Sequence, residues 1–253
     1  MKIIIDGKTC ETRAGQYIME IAVQNGIEIP ALCHHDALPG QACCRLCIVE
    51  IESKEAHRRV VVSCVYPVEK EITVFTRSEN IIKLRKSILA LLKARAPNAE
   101  GALPEYYQEY GVSNERFHSC TSRKNKCILC GLCTRACEEL GNSSIQTVLR
   151  GTSKTVSTAF DEPSLNCIGC AACASVCPVN AIELSDEHNS RTIWGKTFSL
   201  IACTNCGKPF ATHEELEWLK GRIMDAELNL SYCPTCRRLA CLNSITAKEN
   251  MRT

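Results

Sequence analysis

Twenty cysteines in 253 residues, sixteen of them sorted into four quartets, constrain this chain more than any other feature. Cys127, Cys130, Cys133 and Cys137 are spaced C-x2-C-x2-C-x3-C. Cys167, Cys170, Cys173 and Cys177 repeat that spacing at an offset of 40 residues, with Pro178 directly after. Thiolates at this spacing are the ligand signature of paired cubane [4Fe–4S] clusters, in which the fourth cysteine of each run ligates the other cluster. One ligand set is therefore expected to be Cys127, Cys130, Cys133 and Cys177, and the other Cys167, Cys170, Cys173 and Cys137. Gly131 and Gly169 allow close backbone approach, which brings N–H groups near cluster sulfurs. Glu138 and Glu139 disfavour extra electron density nearby, whereas Arg123, Lys124, Lys126 and Arg135 favour it. Charge alone therefore sets no order of potentials.

Aromatic residues make up only 5% of the chain, so bound clusters are expected to replace part of a conventional core, as in small metal-coupled domains. A disulfide scaffold is the competing use of so much cysteine, but it needs an oxidising compartment and usually a leader. The start, Met1-Lys2-Ile3-Ile4-Ile5-Asp6-Gly7, turns acidic after three apolar residues, so no signal peptide is expected. No window approaches the twenty or so apolar residues of a membrane helix. A net charge of +2 gives no global pull toward nucleic acid or acidic lipid. The expected location is cytoplasmic, alone or peripheral to a membrane complex.

The chain reads as an α+β series of modules. Residues 1–77 are expected to form a small β-rich unit: strands at Lys2–Ile5 and Thr9–Thr12 about a turn at Asp6-Gly7-Lys8, then a helix through Tyr17, Ile18, Ile21 and Ala22 that Asn25-Gly26 stops, then strands at Cys47–Ile51, Val60–Val65 and Ile72–Phe75. Residues 78–119 form a helical linker. Its first part, 78–95, has Ser78 as N-cap and an apolar stripe of Ile81, Leu84, Ile88, Leu91 and Leu92, and Pro97 ends it. Residues 120–190 hold the two cysteine runs, with a hairpin expected between Ile145–Leu149 and Thr155–Phe160. Residues 198–241 carry two C-x-x-C pairs around an amphipathic helix at Glu214–Met224.

The remaining quartets are gapped. Cys33, Cys44, Cys47 and Cys64 place two close thiolates between two distant ones, with Gly40 in the loop, which suits a [2Fe–2S] rhomb. Cys43 stands beside Cys44 as a competing ligand, and a zinc site is the alternative for the quartet. Cys203, Cys206, Cys233 and Cys236 form two C-x-x-C knuckles 26 residues apart, the pattern of a tetrahedral zinc ribbon, with a further iron–sulfur cluster as the other reading. Cys10, Cys43, Cys120 and Cys241 are then left as buried structural thiols. His34, His35 and His118 lie near cluster segments but are not needed as ligands where four cysteines suffice.

Cys44-Arg45-Leu46-Cys47-Ile48-Val49-Glu50 resembles the C-R-x-C-x-V-E text in the N-terminal iron–sulfur region of the complex I large subunit, of the diaphorase small subunit of bidirectional hydrogenases, and of iron-only hydrogenases. The resemblance favours Cys44 over Cys43 and extends in order over residues 1–185. It implies an N-terminal β-grasp [2Fe–2S] ferredoxin-like domain, a linker helix and a bacterial ferredoxin-like 2×[4Fe–4S] domain, followed here by a small zinc-ribbon-like module. That last part is similar to the C-terminal extension of formate hydrogenlyase-type ferredoxin subunits. Those families usually carry a further cluster motif, H-x3-C-x2-C-x5-C, after the long helix. Here Ala94–Gly101 offers neither thiol nor imidazole, so the remaining clusters are expected to lie closer together or to pass electrons around the gap.

The resemblance implies an electron-transfer subunit that relays single electrons between a flavin/NAD(H)-binding subunit and a hydrogenase or formate dehydrogenase-type catalytic subunit. No G-x-G-x-x-G follows a strand, and no nucleophile–base set stands outside the cysteines, so the chain is expected to be a non-catalytic wire. A zinc-stabilised interaction or nucleic-acid-binding module is the alternative, which the absence of a basic aromatic surface disfavours.

Overall fold

The computed structural model describes residues 1–53, 56–113, 117–119, 125–222 and 229–250. Cys120, Arg123, Lys124 and Met224 lie outside the described residues. The chain divides into two compact units: Met1–Ala136 with Thr147–Val156 and Val176–Ala181, and Cys137–Gln146 with Ser157–Ser175 and Ile182–Thr253.

The first unit opens on strands β1 (Lys2–Ile5) and β2 (Lys8–Glu11), helix α1 (Ile18–Gln24), and strands β3 (Ile48–Ser53), β4 (Ala56–Val62) and β5 (Thr73–Phe75). They form one sheet in the order β2-β1-β5-β3-β4, with β1 parallel to β5 and the other pairs antiparallel. Alternation sets the faces: Ile3 and Ile5 are buried while Ile4 is exposed. The core behind them combines Ile18, Ile21 and Ala22 of α1 with Val49, Ile51 and Val74. The fourth strand lies three to four residues earlier than Val60–Val65, because its pairing with β3 runs from Val62 to Ala56.

Helix α2 (Glu79–Arg95) begins where Ser78 Oγ accepts the Ile81 N–H at 3.2 Å, a cap worth about 1 kcal/mol. Its buried face is Ile81, Arg85, Leu89 and Ala90, which corrects the expected stripe. Leu84 and Leu91 are exposed, and a fully buried arginine takes the centre of the face. The Arg85 guanidinium donates to Leu46 O at 3.0 Å, Ile48 O at 2.8 Å and Tyr110 Oη at 3.0 Å. A buried cation persists only when its donors are satisfied, and here they tie down the carbonyls on either side of Cys47. Helix α3 (Leu103–Glu109) follows. Leu89, Leu103, Tyr110, Leu32, Leu46, Ile128 and Val179 share a second core with Cys33, Cys44 and Cys130.

Helix α4 (Leu132–Glu139) carries Cys133 and Cys137 one turn apart. Strands β6 (Gln146–Val148) and β7 (Thr155–Ser157) pair across a 3₁₀ turn at Gly151–Ser153, shorter than the expected hairpin. Helix α5 (Ala172–Ser175) leads into strands β8 (Leu184–Glu187), β9 (Ser190–Ile193), β10 (Lys196–Ala202) and β11 (Pro209–Thr212), which form a continuous antiparallel sheet in the order β11-β10-β9-β8. This sheet runs through the interval between the modules expected at 120–190 and 198–241. Helix α6 (His213–Lys220) is N-capped by Thr212 Oγ1 and ends at Gly221, and α7 (Pro234–Asn250) starts inside the last C-x-x-C pair.

Candidate iron–sulfur and metal sites

The first quartet is assembled by non-regular chain packed between the sheet and α2. Ala42 and Arg45 adopt left-handed φ of 57° and 59°, so the loop curls around its cysteines and turns N–H groups inward. Cys33, Cys44, Cys47 and Cys64 are all buried. Hydrogen bonds from the Cys43 and Cys44 thiols, joined by the Cys44 N–H at 3.4 Å, lower the Cys33 pKa to about 2. The Cys64 thiol similarly lowers Cys47 to about 7. The Cys44 and Cys64 thiols belong to the quartet itself and would lose their protons to iron, whereas the Cys44 N–H on Cys33 Sγ would remain as a donor to a ligand sulfur. Cys43 is exposed rather than buried as expected, and its sulfur lies 2.9 Å from Cys130 O.

That contact joins the [2Fe–2S]-type loop to the first run, and Arg135 adds to it by donating to Cys33 O at 3.2 Å and to Pro39 O. Cys127, Cys130 and Cys133 belong to the same compact unit as Cys177, whereas Cys137 belongs to the unit of Cys167, Cys170 and Cys173. In the second unit, those last four cysteines line one cavity together with Ser144, Ile193 and Trp194. The Ser144 N–H donates to Cys137 Sγ at 3.2 Å. Its hydroxyl oxygen is buried without a protein partner, a donor suited to a cluster sulfide. Burial raises the pKa of Cys167, Cys170 and Cys173, the last to about 11, so binding iron as thiolates requires a metal to displace the protons. The residues present fit a cubane.

Each run has left-handed backbone at the same two positions. In the first these are Leu129 and Gly131 (φ 56° and 73°), and in the second Gly169 and Ala171 (68° and 59°). Glycine takes whichever position faces a neighbour: a Cβ on Gly131 would meet Gln41 Oε1 at 2.8 Å, and one on Gly169 would meet the Phe198 ring at 2.8 Å.

The fourth quartet has a different geometry. The ligand atoms of Cys203, Cys206, Cys233 and Cys236 all lie within 4.8 Å of one another, and the Cys206 and Cys233 sulfurs are 3.9 Å apart. A tetrahedron with metal–sulfur bonds of about 2.3 Å has edges of about 3.8 Å. A cubane instead spreads its cysteines over four separate irons. One tetrahedral ion fits this site. Burial opposes charge at Cys203, but N–H groups of Cys233, Cys206 and Asn205 outweigh it and bring the thiol to about 6. Cys10 is buried as expected, whereas Cys241 is exposed on α7.

Fold and sites together define an iron–sulfur protein with ferredoxin-like domains in series. Residues 1–79 match the 2Fe-2S iron-sulfur cluster binding domain family, and residues 121–184 match the 4Fe-4S dicluster domain family. The chain is similar to an NADH-quinone oxidoreductase subunit of Rhizobium meliloti (31% identity, over 82% of this chain and 27% of the relative). It is also similar to the NADP-reducing hydrogenase subunit HndD of Solidesulfovibrio fructosivorans (29%, over 72% and 36%). In structure it resembles a chain of an NAD+-reducing [NiFe]-hydrogenase in the H2-reduced state (25% identity, TM-score 0.62, covering 71% of this chain and 85% of that one). The chain spans about a quarter to a third of the length of these curated relatives. No helix among the described residues is long and apolar enough to cross a membrane.

Proposed function

We propose that this chain relays single electrons inside a multisubunit oxidoreductase. It would hold one [2Fe–2S] cluster on Cys33, Cys44, Cys47 and Cys64, one [4Fe–4S] cluster on Cys127, Cys130, Cys133 and Cys177, and another on Cys167, Cys170, Cys173 and Cys137. A zinc ion on Cys203, Cys206, Cys233 and Cys236 is structural. Bound there, the clusters supply one-electron carriers. The chain's own residues fix their spacing, exclude water and place donors on the sulfurs. Its partners are a flavin/NAD(H)-binding subunit, which splits a hydride pair into single electrons, and a hydrogenase or formate dehydrogenase-type catalytic subunit. The complex is cytoplasmic or peripheral to a membrane.

The observation that carries this reading is the contact of Cys43 with Cys130 O and of Arg135 with Cys33 O. The ligand loop of the first quartet rests directly on the first cubane run. The test is to purify the native complex anaerobically and add NADH. The cluster absorbance of this chain should bleach within turnover time. A chain that stays oxidised with NADH, although dithionite bleaches it, would contradict the assignment of partners. The same preparation tests the zinc-stabilised interaction module, which would be colourless.

A further inference from the structure

The sheet β8–β11 lies beyond both matched cluster domains apart from the first residue of β8, yet it packs directly on the second cubane run. Three consecutive carbonyls of the ligand loop accept from it: Cys167 O from Lys196 Nζ at 2.8 Å, Ile168 O from Thr212 Oγ1, and Gly169 O from Arg191 Nη1 at 3.0 Å. Phe198 and Thr212 press on Gly169. Trp194 Nε1–H points at Cys173 Sγ, 3.5 Å away.

Trp194 occupies an unusual place to do so. Ile193 pairs with Lys196, so Trp194-Gly195 is a two-residue hairpin loop, and both residues have positive φ, 52° and 71°. Such a turn favours Asn-Gly, since a left-handed conformation costs a bulky residue about 1–2 kcal/mol. The strain is retained at a position whose side chain lines the cluster cavity, the pattern expected of a functional constraint. The two cations differ. Arg191 is held by both Asp186 carboxylate oxygens at 2.8 Å, which cancels much of its charge. Lys196 contacts carbonyls and the Phe198 ring, and no carboxylate pairs with it among the described salt bridges.

We infer that this sheet sets the reduction potential of the second cubane, with Trp194 and Lys196 as the positioning residues that favour its reduced form. The inference rests on the assignment of Cys137, Cys167, Cys170 and Cys173 to one [4Fe–4S] cluster. Reduction adds one electron to the cluster and breaks no bond. A donor to a ligand sulfur and a nearby cation both stabilise that added charge.

The test is a potentiometric EPR titration of the full holo-chain, with dithionite as reductant, for wild type, Trp194→Phe, Trp194→Asn and Lys196→Gln. Asn suits the turn better than Trp, so that variant keeps the fold while removing the indole donor. At a fixed potential each variant should show a several-fold lower reduced fraction in one cubane signal, where tenfold corresponds to about 59 mV. The other cubane and the [2Fe–2S] signal should stay within experimental error. Unchanged potentials in all three variants would overturn the inference, as would equal shifts in both cubanes. A wild-type chain that holds iron for only one cubane would instead overturn the cluster assignment itself.

Discussion

The two cubane runs share one spacing and one backbone pattern, yet they sit in unlike surroundings. The first is packed into a core: Cys130 and Cys133 are buried, and Leu32, Leu46, Leu89 and Leu103 lie in the core around Cys130. The second remains half-exposed at all three of its leading cysteines and is braced by polar donors from a sheet that follows it in the chain. The difference teaches that spacing decides which thiolates can share a cluster, while distant segments decide how that cluster behaves. Apolar packing shields the first run. Hydrogen bonds and a lysine tune the second.

The largest effect should come from breaking the exchange of fourth ligands. Cys177→Ser should abolish the first cubane and spare the second, and Cys137→Ser should do the reverse. Each should lower iron by about four of about ten per chain, read by metal analysis and by loss of one of two EPR signals. Loss of the cluster belonging to the mutated residue's own run would show that the ligand sets are not exchanged.

Next come the glycines that mark the two surroundings. Gly169→Ala combines left-handed strain with collision against the Phe198 ring and Thr212, and should cost about 3 kcal/mol in thermal or denaturant unfolding. Gly131→Ala meets only the end of the flexible Gln41 side chain and should cost about half as much. Equal costs would remove the distinction between a soft and a rigid neighbour. Ala171→Gly should be neutral to within about 0.5 kcal/mol, because relief of strain is offset by a freer unfolded chain.

Chelation of the four-cysteine site is a gentler probe. Cys203 and Cys206 form the turn between β10 and β11, where the Cys203 N–H donates to Lys208 O at 2.9 Å. Stripping the ion should loosen this turn and speed oxidative loss of the second cubane several-fold, followed by its absorbance in air, while the first cubane decays at an unchanged rate. Matching decay rates would uncouple the metal from the sheet.

The smallest effect is electrostatic. Hydrogen bonding to Arg191 holds the Asp186 carboxyl below its ordinary value of 3.8. A lowered carboxylate pKa adds stability that is present above that value and fades as pH falls through the folded one. Asp186 is well exposed, so Asp186→Asn should cost under about 1 kcal/mol at pH 7, and the gap to wild type should narrow as pH falls below 3.8 and close once it passes below the lowered folded value.

The candidate ligands can be named from sequence because cluster binding is local chemistry: a cysteine spacing must match an iron–sulfur core whatever the rest of the chain does. The strands of the first unit were legible from alternation, as at Ile3, Ile4 and Ile5. The braces were not. Leu184–Glu187 is exposed along its whole length, so it shows no apolar period to mark a strand. Trp194-Gly195 does not look like a hairpin turn. Arg85 reads as a solvent-facing residue of an amphipathic helix until its three acceptors are known, and nothing near it in sequence names Leu46, Ile48 or Tyr110. The carbonyl contacts of Arg191, Lys196 and Thr212 arise only after folding.

The proposed relay needs three one-electron centres on this chain. Spin-quantified EPR during a full reductive titration of the anaerobically purified protein tests it most directly. One [2Fe–2S] and two [4Fe–4S] clusters would give about three spins per chain, resolved as one transition of the first kind and two of the second. A total near two, with a single cubane transition at saturating reductant, would contradict it.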